Sequence, residues 1–111
     1  MIQLTAYTRI LLATQATDFR KGIDGIVALC RHELNKDPTN GTYFVFINRS
    51  KTMIRVLVYD GTGFWLMTKR LSKGRFQGWP NNASTLSAME AKRLSRLVLG
   101  QDPPSVPLKV S

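Results

Sequence analysis

The sequence is poor in acids, in histidine and in cysteine. Seven Asp and Glu stand against sixteen Lys and Arg in 111 residues, with one His and one Cys. A metal-dependent nuclease or transposase centre clamps divalent ions with two or three convergent carboxylates. The few acids here are already claimed by local structure. Asp18 reads as a helix N-cap, Asp24 as a first-turn acid favoured by the helix dipole, Asp60 as a turn former, and Glu90 as the partner of Ser87 in a capping box. Asp18 and Asp24 have no third acid nearby in sequence to complete a metal site. His32 lacks a nucleophile or base beside it, and Cys30, two residues away on a helix, does not share its face. No catalytic, metal or cofactor site is expected, and the chain is not read as an enzyme. A single cysteine excludes an internal disulfide and fits a reducing cytoplasm. No apolar run approaches the ~20 residues of a membrane span. The first residues do not place a basic leader ahead of a long apolar block, so no signal peptide is expected.

What the chain has in excess is positive charge. The formal net charge is +9 and the pI about 10.3. Between positions 49 and 75 lie Arg49, Lys51, Arg55, Lys69, Arg70, Lys73 and Arg75, against the single acid Asp60. Such a field attracts polyanions, chiefly nucleic acid or an anionic membrane. The plainer alternative is a well-solvated surface.

Positions 42–76 organise the rest. TYFVFIN, MIRVLVYD and FWLMTKRL are three strand-like runs joined by the short polar links RSKT and GTG, an antiparallel meander. If 48–52 is one loop and 60–63 the other, Phe44, Phe46, Ile54, Val56, Val58, Trp65 and Met67 share an apolar face. The opposite face then carries Tyr43, Val45, Ile47, Leu57, Tyr59, Phe64 and Leu66 with Arg55 and Arg70 among the rings. Aromatic side chains with Arg on one sheet face suit single-stranded nucleic acid, which is held by stacking and charge. A face this apolar is also one that protein covers, and a second copy of the chain is the simplest cover.

Flanking segments complete an α+β domain, expected as an antiparallel meander of three to five strands with two helices. A short apolar run at 9–13 is a further strand. Positions 18–35 read as a helix whose stripe is Ile23, Ile26, Val27, Cys30 and Leu34. It is expected to pack on the face of Phe44, Val56 and Trp65. Gly22 and Gly25 are costly inside a helix and point to close approach of another group. Arg20 and Lys21 at its N-terminus suit a phosphate, with a solvated first turn as the alternative. A second helix is expected over 88–99, with Ala91, Leu94 and Val98 inward and Gly100 as the stop. One domain over 1–102 and a Pro-rich tail over 103–111 are expected.

Two blocks carry a family resemblance. D-x-R-K-G-x-D-G is formed by Asp18, Arg20, Lys21, Gly22, Asp24 and Gly25. YDGTGFWLMTKRLSKGRF includes Asp60, Gly61, Gly63, Lys69, Arg70, Leu71, Gly74, Arg75 and Phe76. Together with the segment around Trp79 and the LSAMEAKRLSRLVLG segment, they resemble the Orf2-like accessory proteins, also called TnpB, of IS66-type bacterial insertion sequences, over about residues 10–100. The spacing of Phe76 and Trp79 and the first turn, Arg49-Ser50-Lys51-Thr52, depart from the usual pattern. The resemblance implies a non-catalytic protein that assists transposition beside a separate transposase. The expected partners are DNA, the transposase of the same element and a second copy of the chain, with no membrane. The residues expected to meet nucleic acid are Arg20, Lys21, Arg49, Lys51, Arg55, Lys69, Arg70, Lys73 and Arg75. The alternative is a protein-interaction module, binding itself or a transposase, that never touches DNA.

Overall fold

The computed structural model describes residue 5 and residues 7–80, 84–89, 93 and 94. A five-stranded mixed sheet is built from β1 (Ile10–Ala13), β2 (Tyr43–Ile47), β3 (Met53–Tyr59), β4 (Phe64–Arg70) and β5 (Leu86–Ala88). Its spatial order is β4-β3-β2-β1-β5. The β2-β3-β4 meander is antiparallel, as its turns require. β1 runs parallel to β2, and the connection between them is the helix α1 (Ile23–His32). That parallel pair corrects the expectation of a purely antiparallel sheet. Parallel neighbours need a crossover connection, and residues 14–42 supply one. Among the described residues no helix is long and apolar enough to cross a membrane.

The first hairpin closes one residue tighter than the sequence suggests. Ile47 pairs with Ile54, not Met53, because Asn48 still belongs to the ladder: its N–H donates to the Met53 carbonyl at 3.1 Å. The Asn48 carboxamide then fixes the turn, its Oδ1 accepting from the Thr52 and Met53 amides and its Nδ2 donating to Ser50 and Thr52. One residue of slip turns every β2 side chain to the other face. Phe44 and Phe46 therefore join Leu57 and Leu66, while Val45 and Ile47 join Ile54, Val56 and Met67. The β3–β4 register is as expected, with Tyr59 opposite Phe64, and Trp65 and Arg55 lie on opposite faces.

Both faces are covered by the chain itself. α1 lays Ile26, Val27 and Cys30 on Phe44, Phe46 and Leu57, the face expected to hold nucleic acid or a second copy. On the other face Phe76, Trp79, Met89 and Leu94 close over Ile10, Leu12, Val45, Ile47, Ile54 and Val56. Trp79 fixes this second layer by donating from Nε1 to the buried Ala13 carbonyl at 2.9 Å. Trp65, expected in the core, is 51% exposed on the edge strand.

α1 is shorter than its sequence pattern. Its N-cap is Gly22, and no side chain caps it. Asp18 instead closes a turn with Arg20, so it is not the cap. Gly25 is explained by crowding, since a Cβ there would stand 3.0 Å from Lys21 Cβ, whereas Gly22 faces open space. Ile23 is 40% exposed and lies off the buried stripe. At the far end Asn35 adopts a left-handed φ of 53° and the Lys36 amide donates back to the Cys30 carbonyl. Ser87 and Ala88 are strand residues paired to Leu12 and Leu11, which overturns the capping box. Arg93 and Leu94 are helical; the rest of the expected second helix and the Pro-rich tail lie outside the described residues.

Candidate nucleic-acid interface

Strand direction decides where the cations go. β2 and β4 end, and β3 begins, at one end of the sheet; β1, parallel to β2, delivers residues 14–21 to the same end. The chain there is stitched together by backbone bonds. Thr17 N–H donates to the Ile47 carbonyl at 2.8 Å, Leu71 N–H to Thr52, and Phe76 N–H to Lys51. Lys51 sits at a φ of 61°, the tight point of the Asn48-held turn. Three loops, 14–21, 48–52 and 71–76, thus meet at one rim.

Seven of the nine expected site residues are exposed on that rim: Arg20, Lys21, Arg49, Lys51, Arg70, Lys73 and Arg75. The acids nearby are Asp18 and, in the first turn of α1, Asp24. Between the 14–21 and 48–52 loops lies an open cleft of about 740 Å³ lined by Phe19, Arg20, Asn48, Arg49 and Ser50 among others. The uncapped N-terminus of α1 follows directly after Lys21, leaving first-turn amides available to an anion. The electrostatics are strongly one-signed, which favours phosphate over a neutral ligand.

Asp18 tempers that field. It binds Arg20 through Nε and Nη2, with the closest approach 2.9 Å, and accepts the Arg20 amide as well. These bonds from Arg20 hold the Asp18 carboxyl down at about 2, and the carboxylate in turn raises Arg20. The pair is solvent-exposed, so it orients Arg20 more than it stabilises the fold.

The two remaining expected residues do different work. Arg55 is half-buried under the 19–21 segment. Its guanidinium lies 4.7 Å from the centre of the Phe19 ring, donates from Nε to Thr68 Oγ1 at 3.0 Å and from Nη1 to the Lys21 carbonyl at 2.9 Å. It pins the loop carrying Arg20 and Lys21 to the sheet. Lys69 lies one residue inside the rim, opposite Ile54 and half-buried.

One contributor escaped the sequence reading. Asn48 shapes the turn that presents Arg49 and Lys51; an Asn preceding a polar turn is its only signal. Asp60 fulfils its expected role, accepting from Thr62 N–H, Thr62 Oγ1 and Gly63 N–H. Among the described residues no three His, Cys, Asp or Glu side chains gather. Cys30 is buried, and desolvation pushes its thiol up to about 11.

The sequence profile of the family described as IS66 Orf2 like protein matches residues 8–106. The chain is also similar to two proteins of Sinorhizobium fredii (strain NBRC 101917 / NGR234). The uncharacterized protein y4jC is 40% identical over 94 residues, covering 85% of this chain and 80% of that protein. The uncharacterized protein y4hO is 37% identical over 94 residues, covering 85% and 81%. No solved structure matches.

Proposed function

Because this chain belongs to the IS66 Orf2-like family of insertion-sequence proteins, we propose that it is a non-catalytic accessory factor of transposition that holds DNA by its phosphates at the basic rim. The observation that supports this reading is convergence. Arg20, Lys21, Arg49, Lys51, Arg70, Lys73 and Arg75 come from three separate chain segments and share one sheet end. Phosphate contacts fix position and carry no base identity, so binding is weakly sequence-dependent. With the Arg55 face covered by α1, base stacking on that face is set aside, and backbone contact is the mode that remains. Assembly with the transposase of the same element is the companion role.

The test is local charge reversal with the net charge matched between two variants. Arg49→Glu/Arg75→Glu changes the rim; Arg9→Glu/Lys36→Glu makes the same charge change at the opposite end of the sheet, where both residues are exposed. Binding to a random-sequence duplex is measured for both. The rim pair loses affinity by orders of magnitude more than the control pair. Equal losses would reduce the effect to net charge, and no binding by the parent would leave the protein-interaction reading.

A further inference from the structure

α1 covers the sheet face on which a second copy is expected, but β4 remains an edge strand, seven residues long and without proline. Its outward backbone groups can be named. Asp60 N–H donates to the Gly63 carbonyl at 3.0 Å and Leu71 N–H to the Thr52 carbonyl at 2.9 Å, so these are hydrogen-bonded pairs of the β3–β4 ladder. Alternation then turns the N–H and C=O groups of Trp65, Met67 and Lys69 toward β3. Those of Phe64, Leu66, Thr68 and Arg70 point away from the sheet, and among the described residues nothing bonds them. An open row of this kind is a template for another strand.

The side chains of β4 are sorted along its length. Phe64 and Trp65 stand at one end, Lys69 and Arg70 at the other. Trp65 is exposed, and its Nε1 donates to Asp60 Oδ2 at 2.8 Å, which sets a carboxylate beside the indole. Among the described residues no cation pairs with Asp60, and neither Lys69 nor Arg70 forms an ion pair. Each end is therefore the complement of the other. Cations on an edge repel an added strand that brings more of them. Here they reject an in-register parallel copy, which sets Lys69 on Lys69, and accept an antiparallel one.

We propose that two copies of the chain pair antiparallel along β4, about a two-fold axis at Met67, into one sheet continuous across both. Phe64 then faces Arg70 of the second copy and Leu66 faces Thr68, so the outward N–H and C=O groups meet. Trp65 faces Lys69 in a non-hydrogen-bonded pair, where side chains approach most closely. The ammonium lies on the indole with Asp60 beside it, a cation–π contact reinforced by opposite charge. A shift of two residues keeps a ladder but parts Trp65 from Lys69, so charge fixes the register. The two-fold makes every contact twice. Antiparallel pairing also sends the two basic rims to opposite ends of the joined sheet; resting on the phosphate reading of the rim, the dimer holds one duplex at each end.

Sedimentation equilibrium on the full chain, without nucleic acid, tests the pairing independently of the rim. The parent is a dimer over a dilution series. Trp65→Lys sets like charges together and shifts it to monomer, and adding Lys69→Glu to that variant restores the dimer. Met67→Cys, on the axis, forms an intermolecular disulfide under mild oxidation, since non-hydrogen-bonded neighbours lie ~4.5 Å apart at Cα. Ser72→Cys, exposed at the rim and far from its counterpart, does not, and buried Cys30 leaves the parent uncross-linked. The indole N–H resonance of buried Trp79 reports that each variant is folded. A monomeric parent, a dimer indifferent to Trp65→Lys, or equal cross-linking from both positions overturns the proposal. With DNA present, energy transfer between two labelled duplexes appears with the parent and is lost with Trp65→Lys, which still binds each duplex. A dimer that binds duplex but never joins two overturns the placement of the rims; a dimer that binds no duplex strikes the rim reading and leaves the strand pairing supported.

Discussion

Arg55→Met separates the structural account of the sheet face from a nucleic-acid role. The methionine keeps the apolar stem and removes the guanidinium. Two hydrogen bonds are lost, to Thr68 Oγ1 and to the Lys21 carbonyl, together with the contact on Phe19. Bonds to a charged donor contribute 1.5–3 kcal/mol when well shielded; for a half-buried group about 1 kcal/mol each is the reasonable discount. The cation–π contact adds ~0.5–1 kcal/mol. The variant should therefore be about 2–3 kcal/mol less stable, a fall of roughly 10 °C in Tm for a domain of this size. Urea unfolding followed by circular dichroism reads the change directly. A double-mutant cycle with Thr68→Val should return a coupling of about 1 kcal/mol. Stability within ~0.5 kcal/mol of the parent would refute the reasoning. Unchanged stability with lost binding to single-stranded DNA would restore the stacking role expected from the sequence.

Asp18→Asn should free Arg20 and raise the formal charge by one, so duplex binding tightens and its log–log salt slope steepens by roughly 0.9. Cys30, with its thiol raised to about 11, is ~10⁻⁴ thiolate at pH 7; Ellman's reagent should label it only as fast as the protein unfolds, and prompt labelling of the native protein would contradict its burial. Asp18 and Asp60 are both depressed below their ordinary 3.8. The causes are the Arg20 bonds for Asp18, and the Thr62 amide followed by the Trp65 indole for Asp60. Folded values below unfolded ones mean that their contributions are complete above pH about 4 and fade as pH falls, for Asp18 through about 2. Acid titration of Asp60→Asn should accordingly show a shallower loss of stability below pH 4 than the parent.

The meander, its second turn and the Ile26, Val27 and Cys30 part of the helix stripe were legible because each rests on local pattern. Tyr59 opposite Phe64 follows from a turn whose Asp60 and Gly61 leave one closure. The first hairpin was not, because β2 is buried on both faces: Phe44, Val45, Phe46 and Ile47 are all 2% exposed or less. A strand without polar alternation carries no phase, and the register passed to Asn48, whose side-chain bonds are invisible in a sequence pattern. That single slip reassigned the face of Phe44 and Phe46 and with it the position of α1. The parallel β1–β2 pair was missed because a four-residue strand before a helix does not announce its neighbour. The Ser87–Glu90 capping pattern competed with strand pairing, and the backbone of β1 offered Leu86–Ala88 a ladder. Of the expected site, the turn cations were legible from composition alone, since turns expose what they carry. Arg55 was legible as a residue on a sheet face; the ring and carbonyl that hold it come from a loop 34 residues away in sequence.

The central claim is that phosphates meet the cations of one rim. Duplex affinity across a salt series, for the parent and for the fourfold change of Arg49, Lys51, Lys73 and Arg75 to Ala, tests it most directly. Four phosphate contacts correspond to a slope of roughly −3.6 in log K against log salt. The account predicts that the fourfold variant flattens the slope by about that amount, with its unfolding midpoint unchanged, because these side chains are exposed at turn tips. Parent and variant binding duplex with the same slope would contradict it.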